Sequence, residues 1–131
     1  HFVYYDFPLT EIHAHAVLAA RAGRCASDQG KFWEYHDLVF ARQSSWAYAR
    51  SAPVDAFRDY AEQLGLDGGA FQACLESDAH ADVVTANRLL GERLGVPGTP
   101  TVIIDNRRVS DPLALDALIE VIEASVQETG A

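Results

Sequence analysis

The stretch 95-GVPGTPTVIID-105 decides how this chain is read. Val102, Ile103 and Ile104 form an apolar β-branched run of the kind that becomes a buried strand. Proline has no backbone N–H, so it is tolerated at the first residue of a strand and excluded from its middle. Thr99-Pro100 therefore marks the mouth of a strand over 101–104. Only about 5 to 6% of X-Pro bonds in folded proteins are cis, so proline alone does not fix the isomer.

Working outward, Asp105-Asn106 is a turn signal that lets Arg107 to Val109 pair back antiparallel. Asp111-Pro112 then caps a final helix with Leu115, Leu118, Ile119 and Ile122 facing inward. On the other side, Gly95 and Pro97 end a helix over about 79–94 whose inward residues are expected to be Val83, Ala86, Leu90 and Leu94. Further back, Phe2 to Tyr5 is aromatic and β-branched and is expected to be a strand ended by Pro8. An Ala-rich helix over about 12–27 places Leu18, Ala22 and Cys25 on one face. In KFWEYHDLVFARQ, Phe32, Tyr35, His36 and Val39 lie on one side and Trp33, Asp37 and Phe40 on another, predicting a helix buried on two faces. Pro53 opens VDAFRDYAEQLG, and Gly68-Gly69 precede a short helix in which Phe71, Cys74 and Leu75 share a face. The order is strand, helical block, strand, hairpin strand, helix, an α/β layout with an insertion. No internal repeat or linker divides it, so 1–131 reads as one domain.

Composition narrows the function classes. With 131 residues and 49% hydrophobic content the chain has enough apolar material for a core. A formal net charge of -9 argues against nucleic-acid and anionic-membrane partners, which select basic surfaces. The longest apolar runs are far short of the roughly 20 residues that span a bilayer. There is no methionine, and HFVYYDFPL already looks like the inside of a strand, so the chain reads as a processed or truncated piece.

Few residues offer chemistry. Cys25 and Cys74 are the only cysteines, each on an apolar helical face. The residues alone leave open a disulfide, closing a loop of about 50 residues and worth roughly 4 kcal/mol on the chain-entropy estimate, or two inert buried thiols. No CxxC is present. Among five histidines, His13 and His15 are two apart and point to different sides of a helix, and there is no HExxH or paired CxxC, so no metal site is expected. His36 is expected to bond within the core rather than pair with its neighbour Asp37. No nucleophile elbow supports a hydrolase.

Taken in order, FVYYDFPL, the Ala-rich helix with HAHA and RCA, QGKFWEYHDLVFARQ, LGLD with FQACL, and LGVPGTPTVIID resemble the DsbA-like thioredoxin-fold proteins, the branch that includes BdbD-type thiol:disulfide oxidoreductases. QGKFWEYHD and GVPGTPT carry most of the specificity, and the likeness covers essentially the whole chain. It implies a thioredoxin-like fold with an all-helical insertion over about 12–94, lacking the N-terminal strand and active-site helix. It implies a cis Thr99–Pro100 bond, with Thr99 and Pro100 as the wall that meets an extended substrate peptide. It also implies a structural disulfide between Cys25 and Cys74 and an oxidising, extracytoplasmic compartment.

Family members carry a CxxC at a helix N-terminus, where the dipole stabilises the thiolate, and here it is absent. The chain by itself is therefore expected to be inactive, as the C-terminal portion of an oxidoreductase that acts on cysteine-containing proteins with a redox partner and no cofactor. Tyr5, where a basic residue is common, and Ala14, where proline is common, depart from the pattern. Two other readings stand beside this one. One is a redox-inactive thioredoxin-like module that binds peptides; the other is a glutathione-dependent transferase or isomerase on the same fold.

Overall fold

The computed structural model describes residues 1–130 and divides the chain into two compact units, His1–Gly91 and Glu92–Ala131. The first is helical. It contains α1 (Ala16–Asp28), α2 (Phe32–Ala41), the single turn α3 (Gln43–Trp46), α4 (Val54–Gln63), α5 (Gly68–Glu76) and most of α6 (Ala81–Arg93). The second contains β1 (Ile103–Ile104), β2 (Arg107–Arg108) and α7 (Leu115–Thr129).

In the first unit α1, α2, α4 and α5 pack around Ala22, Tyr35, Phe57, Ala61, Phe71 and Leu75. The small residues of α1, Ala22 and Ala26, are fully buried and let neighbouring helices approach closely. The polar atoms taken inside are satisfied: Tyr35 donates its hydroxyl to Phe57 O at 3.0 Å, and Trp46 Nε1 donates to Val39 O at 2.9 Å. Asp67 is the N-cap of α5 and accepts from Ala70 N at 2.8 Å. Its backbone is clipped to the end of α1, since Gln29 Nε2 donates to Asp67 O at 3.2 Å and Asp67 N donates to Gln29 Oε1 at 2.9 Å.

A second polar group fixes the N-terminal segment. Asp6 is 3% exposed and receives Arg24 Nε at 2.8 Å and Nη2 at 2.7 Å. Asn87 on α6 sits against the same pair, and with its amide oriented so that the oxygen meets the donors it accepts from Asp6 N at 3.3 Å and Arg24 Nη2 at 3.2 Å. The adjacent Phe7 ring lies over Gly91, so close that a Cβ there would sit 2.6 Å from a ring carbon. Burial, followed by the Asp6 charge, pushes the Tyr4 phenol above its ordinary value, with Arg24 acting in the opposite sense.

Four sequence expectations are corrected. Residues Phe2 to Tyr5 form no strand among the described residues; the segment is held by side chains, such as Arg24 on Tyr4 O, instead of a ladder. The inward face of α6 is Val84, Asn87, Arg88 and Gly91, one residue out of phase with expectation, while Val83, Leu90 and Leu94 are exposed. The buried face is set by close approach and polar pairing, which a count of large apolar residues does not register. Helix α2 buries Tyr35 and Val39 but leaves Trp33 and Phe40 in solvent. Helix α7 has no buried residue, and Leu115, Ile119 and Ile122 are exposed. Its N-cap is Ala114, and Asp111 accepts from Leu113 N at 3.3 Å in the turn before it.

Candidate functional site

The second unit is built around the turn that leads into β1. Thr99 and Pro100 are exposed, the peptide bond between them is cis, and Thr101 Oγ1 donates back to Gly98 O at 2.7 Å. This bond fastens the turn to the start of the strand. The hairpin reverses at Asp105 and Asn106, both at positive φ (47° and 63°), the conformation of a two-residue primed turn. Ile103 then faces Arg108 and Ile104 faces Arg107, and Val109, the buried residue of this unit, donates its N–H to Val102 O at 2.9 Å. Arg107 pairs with Glu128 of α7 at 2.6 Å, and that hydrogen bond holds its guanidinium above the ordinary range. Among the described residues β1 pairs on one side only. Gly98 to Thr101 therefore presents an exposed turn at the mouth of a strand, with backbone groups that an extended peptide can reach.

The first unit holds the sulfur chemistry. Cys25 on α1 and Cys74 on α5 form a disulfide, S–S 2.07 Å and Cα–Cα 5.9 Å, with no free cysteine among the described residues. The Cys25 side of the bond is buried and the Cys74 side half-buried. Asp28, one turn beyond Cys25, places Oδ2 3.6 Å from Cys74 Sγ and 2.7 Å from Nε2 of His80. Arg21, one turn before Cys25, donates to the Leu75 carbonyl and pairs with Asp78 at 2.7 Å, so it closes the C-terminal end of α5, while its Nε is buried without a partner. Asp78 adopts positive φ (58°), reversing the chain so that His80 returns to α1.

Thr99 and Pro100 thus stand in the second unit and Cys25 and Cys74 in the first. His15, at the N-cap of α1, bonds Ala49 O at 2.8 Å. His36 corrects the expectation that adjacent side chains do not meet: its Nδ1 lies 2.9 Å from Oδ1 of the exposed Asp37. The imidazole also packs against the rings of Tyr4, Trp33 and Phe40, and Phe2 adds a contact to Trp33, making a largely exposed aromatic surface. The sequence reading missed His80 altogether. The available signal was one helical turn from Cys25 to Asp28 with a histidine six residues beyond Cys74, and it becomes legible only once Cys25 and Cys74 are known to touch.

The family model described as Thioredoxin matches residues 1–124. Among curated proteins the chain is 36% identical over 117 residues to a Na(+)/H(+) antiporter NhaA 3 of Salinispora tropica, covering 89% of this chain and 17% of that protein. It is 36% identical over 129 residues to a Na(+)/H(+) antiporter NhaA 1 of Salinispora arenicola, covering 98% and 19%, and 35% identical over 117 residues to a Na(+)/H(+) antiporter NhaA of Herminiimonas arsenicoxydans, covering 89% and 18%. The chain spans less than a fifth of the length of these relatives.

Proposed function

The chain belongs to the thioredoxin family, and from that premise we propose that it is the peptide-binding portion of a DsbA-like thiol:disulfide oxidoreductase acting on extracytoplasmic proteins. The observation that carries this reading is the exposed Gly98–Thr101 turn at the mouth of β1. Thr99 and Pro100 are the wall against which an extended, cysteine-containing substrate lies, its backbone pairing along the strand direction. The chain's own cysteines are bonded to each other across two helices, so the proposal assigns the reacting CxxC to sequence outside residues 1–131. A substrate thiolate attacks the CxxC disulfide and forms a mixed disulfide while one cysteine leaves as thiolate. The second substrate thiolate then resolves the mixed disulfide, leaving substrate oxidised and CxxC reduced. Sulfur carries both electrons, and no cofactor takes part.

The Cys25–Cys74 disulfide is compatible with an oxidising compartment. The relatives named as antiporters favour an additional reading, in which this domain is carried on a membrane protein. Among the described residues no helix is long and apolar enough to cross a membrane, so the attachment would lie elsewhere in the polypeptide. Fractionation of cells producing the parent polypeptide tests this: recovery in the membrane pellet after a high-salt wash supports it, and recovery in the soluble fraction refutes it.

Peptide binding is tested by titrating 15N-labelled protein with an extended peptide bearing an S-methylated cysteine, which cannot react. Resonance changes centred on Thr99, Thr101 and Ile103 are expected. Changes confined to other residues, or none at saturating peptide, would remove the wall from the reading.

A further inference from the structure

The surroundings of the Cys25–Cys74 bond contain more than a disulfide needs. The two sulfurs and a ring nitrogen of His80 lie within 4.8 Å of one another. Asp28 Oδ2 adds an oxygen at 2.7 Å from His80 Nε2 and 3.6 Å from Cys74 Sγ. Two sulfurs and one imidazole are three donors of a tetrahedral zinc site whose fourth position solvent can take. We infer that, once the disulfide is reduced, Cys25, Cys74 and His80 bind one Zn2+, with Asp28 beside the His80 ring as the partner that orients it, so that a metal replaces the covalent tie between α1 and α5.

The geometry favours this exchange. Zn–S bonds of about 2.3 Å at a tetrahedral angle hold two sulfurs roughly 3.8 Å apart. The His80 nitrogen, which lies within 4.8 Å of both sulfurs, needs to close in by about 1 Å to reach ligand spacing. The S–S bond is not the sole tie between the helices that carry the sulfurs, because the Gln29–Asp67 clip and Arg21 on Leu75 and Asp78 also join α1 to the two ends of α5. Cys74 and His80 are half-buried and Asp28 is exposed, which leaves the metal a path from solvent, while the buried Cys25 closes the inner side.

The chemistry balances. A dithiol reductant supplies two electrons and two protons to the S–S bond and becomes a disulfide itself. Zn2+ then displaces both thiol protons to solvent and forms two Zn–S bonds. This site is independent of the peptide wall, being built from other residues.

The experiment uses protein reduced with a phosphine, which competes weakly for zinc. Cys25 and Cys74 are its only cysteines. Zinc affinity is measured by competition with a chromophoric chelator, and Co2+ is substituted to read thiolate ligation from its charge-transfer absorption and tetrahedral ligand-field bands. One equivalent of metal is expected in the reduced protein and none in the oxidised protein. His80→Ala is expected to weaken binding by about 100-fold or more and Asp28→Asn by about 10-fold, the range over which metal sites respond to loss of a supporting partner. Far-UV circular dichroism accompanies each titration, so that in a reduced protein that has lost helix, metal-driven recovery of helicity is the expected result. Equal affinity in wild type and His80→Ala, absence of thiolate-to-cobalt absorption, or reduced protein that neither binds zinc nor refolds with it overturns the inference.

Discussion

Replacing Cys25 and Cys74 together by alanine removes the one covalent cross-link. Its sequence separation is 49, and the chain-entropy relation gives about 14 cal/mol/K for a loop of that size, or about 4 kcal/mol at 25 °C. Smaller terms act in opposite directions. Cys25 is 2% exposed, so its truncation leaves a small cavity and adds roughly 1 kcal/mol. Retention of the Gln29–Asp67 clip keeps α1 and α5 in register and limits the structural response. For a domain of this length the unfolding entropy is about 0.28 kcal/mol/K, so a loss of about 4 kcal/mol corresponds to a fall in Tm of about 15 °C. Urea denaturation followed by far-UV circular dichroism, with oxidised wild type, reduced wild type and the double alanine variant side by side, measures it. Both cysteine-free and reduced proteins should be destabilised by similar amounts, with the reduced wild type slightly the more stable. A loss below about 1 kcal/mol in both would refute the reasoning, because the unfolded chain would then gain no freedom when the loop opens.

Asp6→Ala strands the Arg24 guanidinium and is expected to cost about 3 kcal/mol in thermal or urea unfolding, the lower end for broken buried pairs since Arg24 keeps some solvent contact; adding Arg24→Leu should return part of that loss, and a simple sum of the two single losses would exclude the pairing. Gly91→Ala drives a methyl into the Phe7 ring and is expected to cost about 1 to 3 kcal/mol, with relief in the Phe7→Leu background measured by the same melts. Burial pushes the Tyr35 phenol above its ordinary value, with Tyr60 adding to the effect. The folded state therefore holds this proton more tightly, and the contribution of Tyr35 to stability is constant below pH ~10, then falls as pH rises past the unfolded tyrosine value at up to about 1.4 kcal/mol per pH unit. Tyr35→Phe should lessen that alkaline slope by about one proton while costing about 1 kcal/mol at neutral pH through loss of the bond to Phe57 O; an unchanged slope counts against the assignment.

How far the sequence could be read depends on what kind of contact fixed each element. The helical face carrying Leu18, Ala22 and Cys25, and the one carrying Phe71, Cys74 and Leu75, were legible because large or clustered apolar side chains mark them and the same side chains fill the core. The turn at Asp105-Asn106 was legible because the dipeptide itself favours positive φ. Helix α6 was misread by one residue because its contacts with the N-terminal segment run through Asn87 and the absent side chain of Gly91, neither of which weighs in an apolar period. Phe2 to Tyr5 has strand composition, yet a strand is a property of a pair, and among the described residues it has no ladder partner. At the candidate sites, Pro100 at a strand mouth can be seen in one dimension. The meeting of His80, Asp28 and the disulfide cannot, because it joins α1 to the segment after α5 across 52 residues.

The proposed role in thiol–disulfide exchange is tested most directly on the full polypeptide that carries this domain. Mixed with a reduced two-cysteine peptide, that polypeptide should convert the peptide to its disulfide while gaining one dithiol outside Cys25 and Cys74, and bulky substitution of Thr99 should slow the transfer. A polypeptide that contains no CxxC, or that leaves the peptide reduced while binding it at Gly98–Thr101, would contradict the exchange function and leave a peptide-binding module.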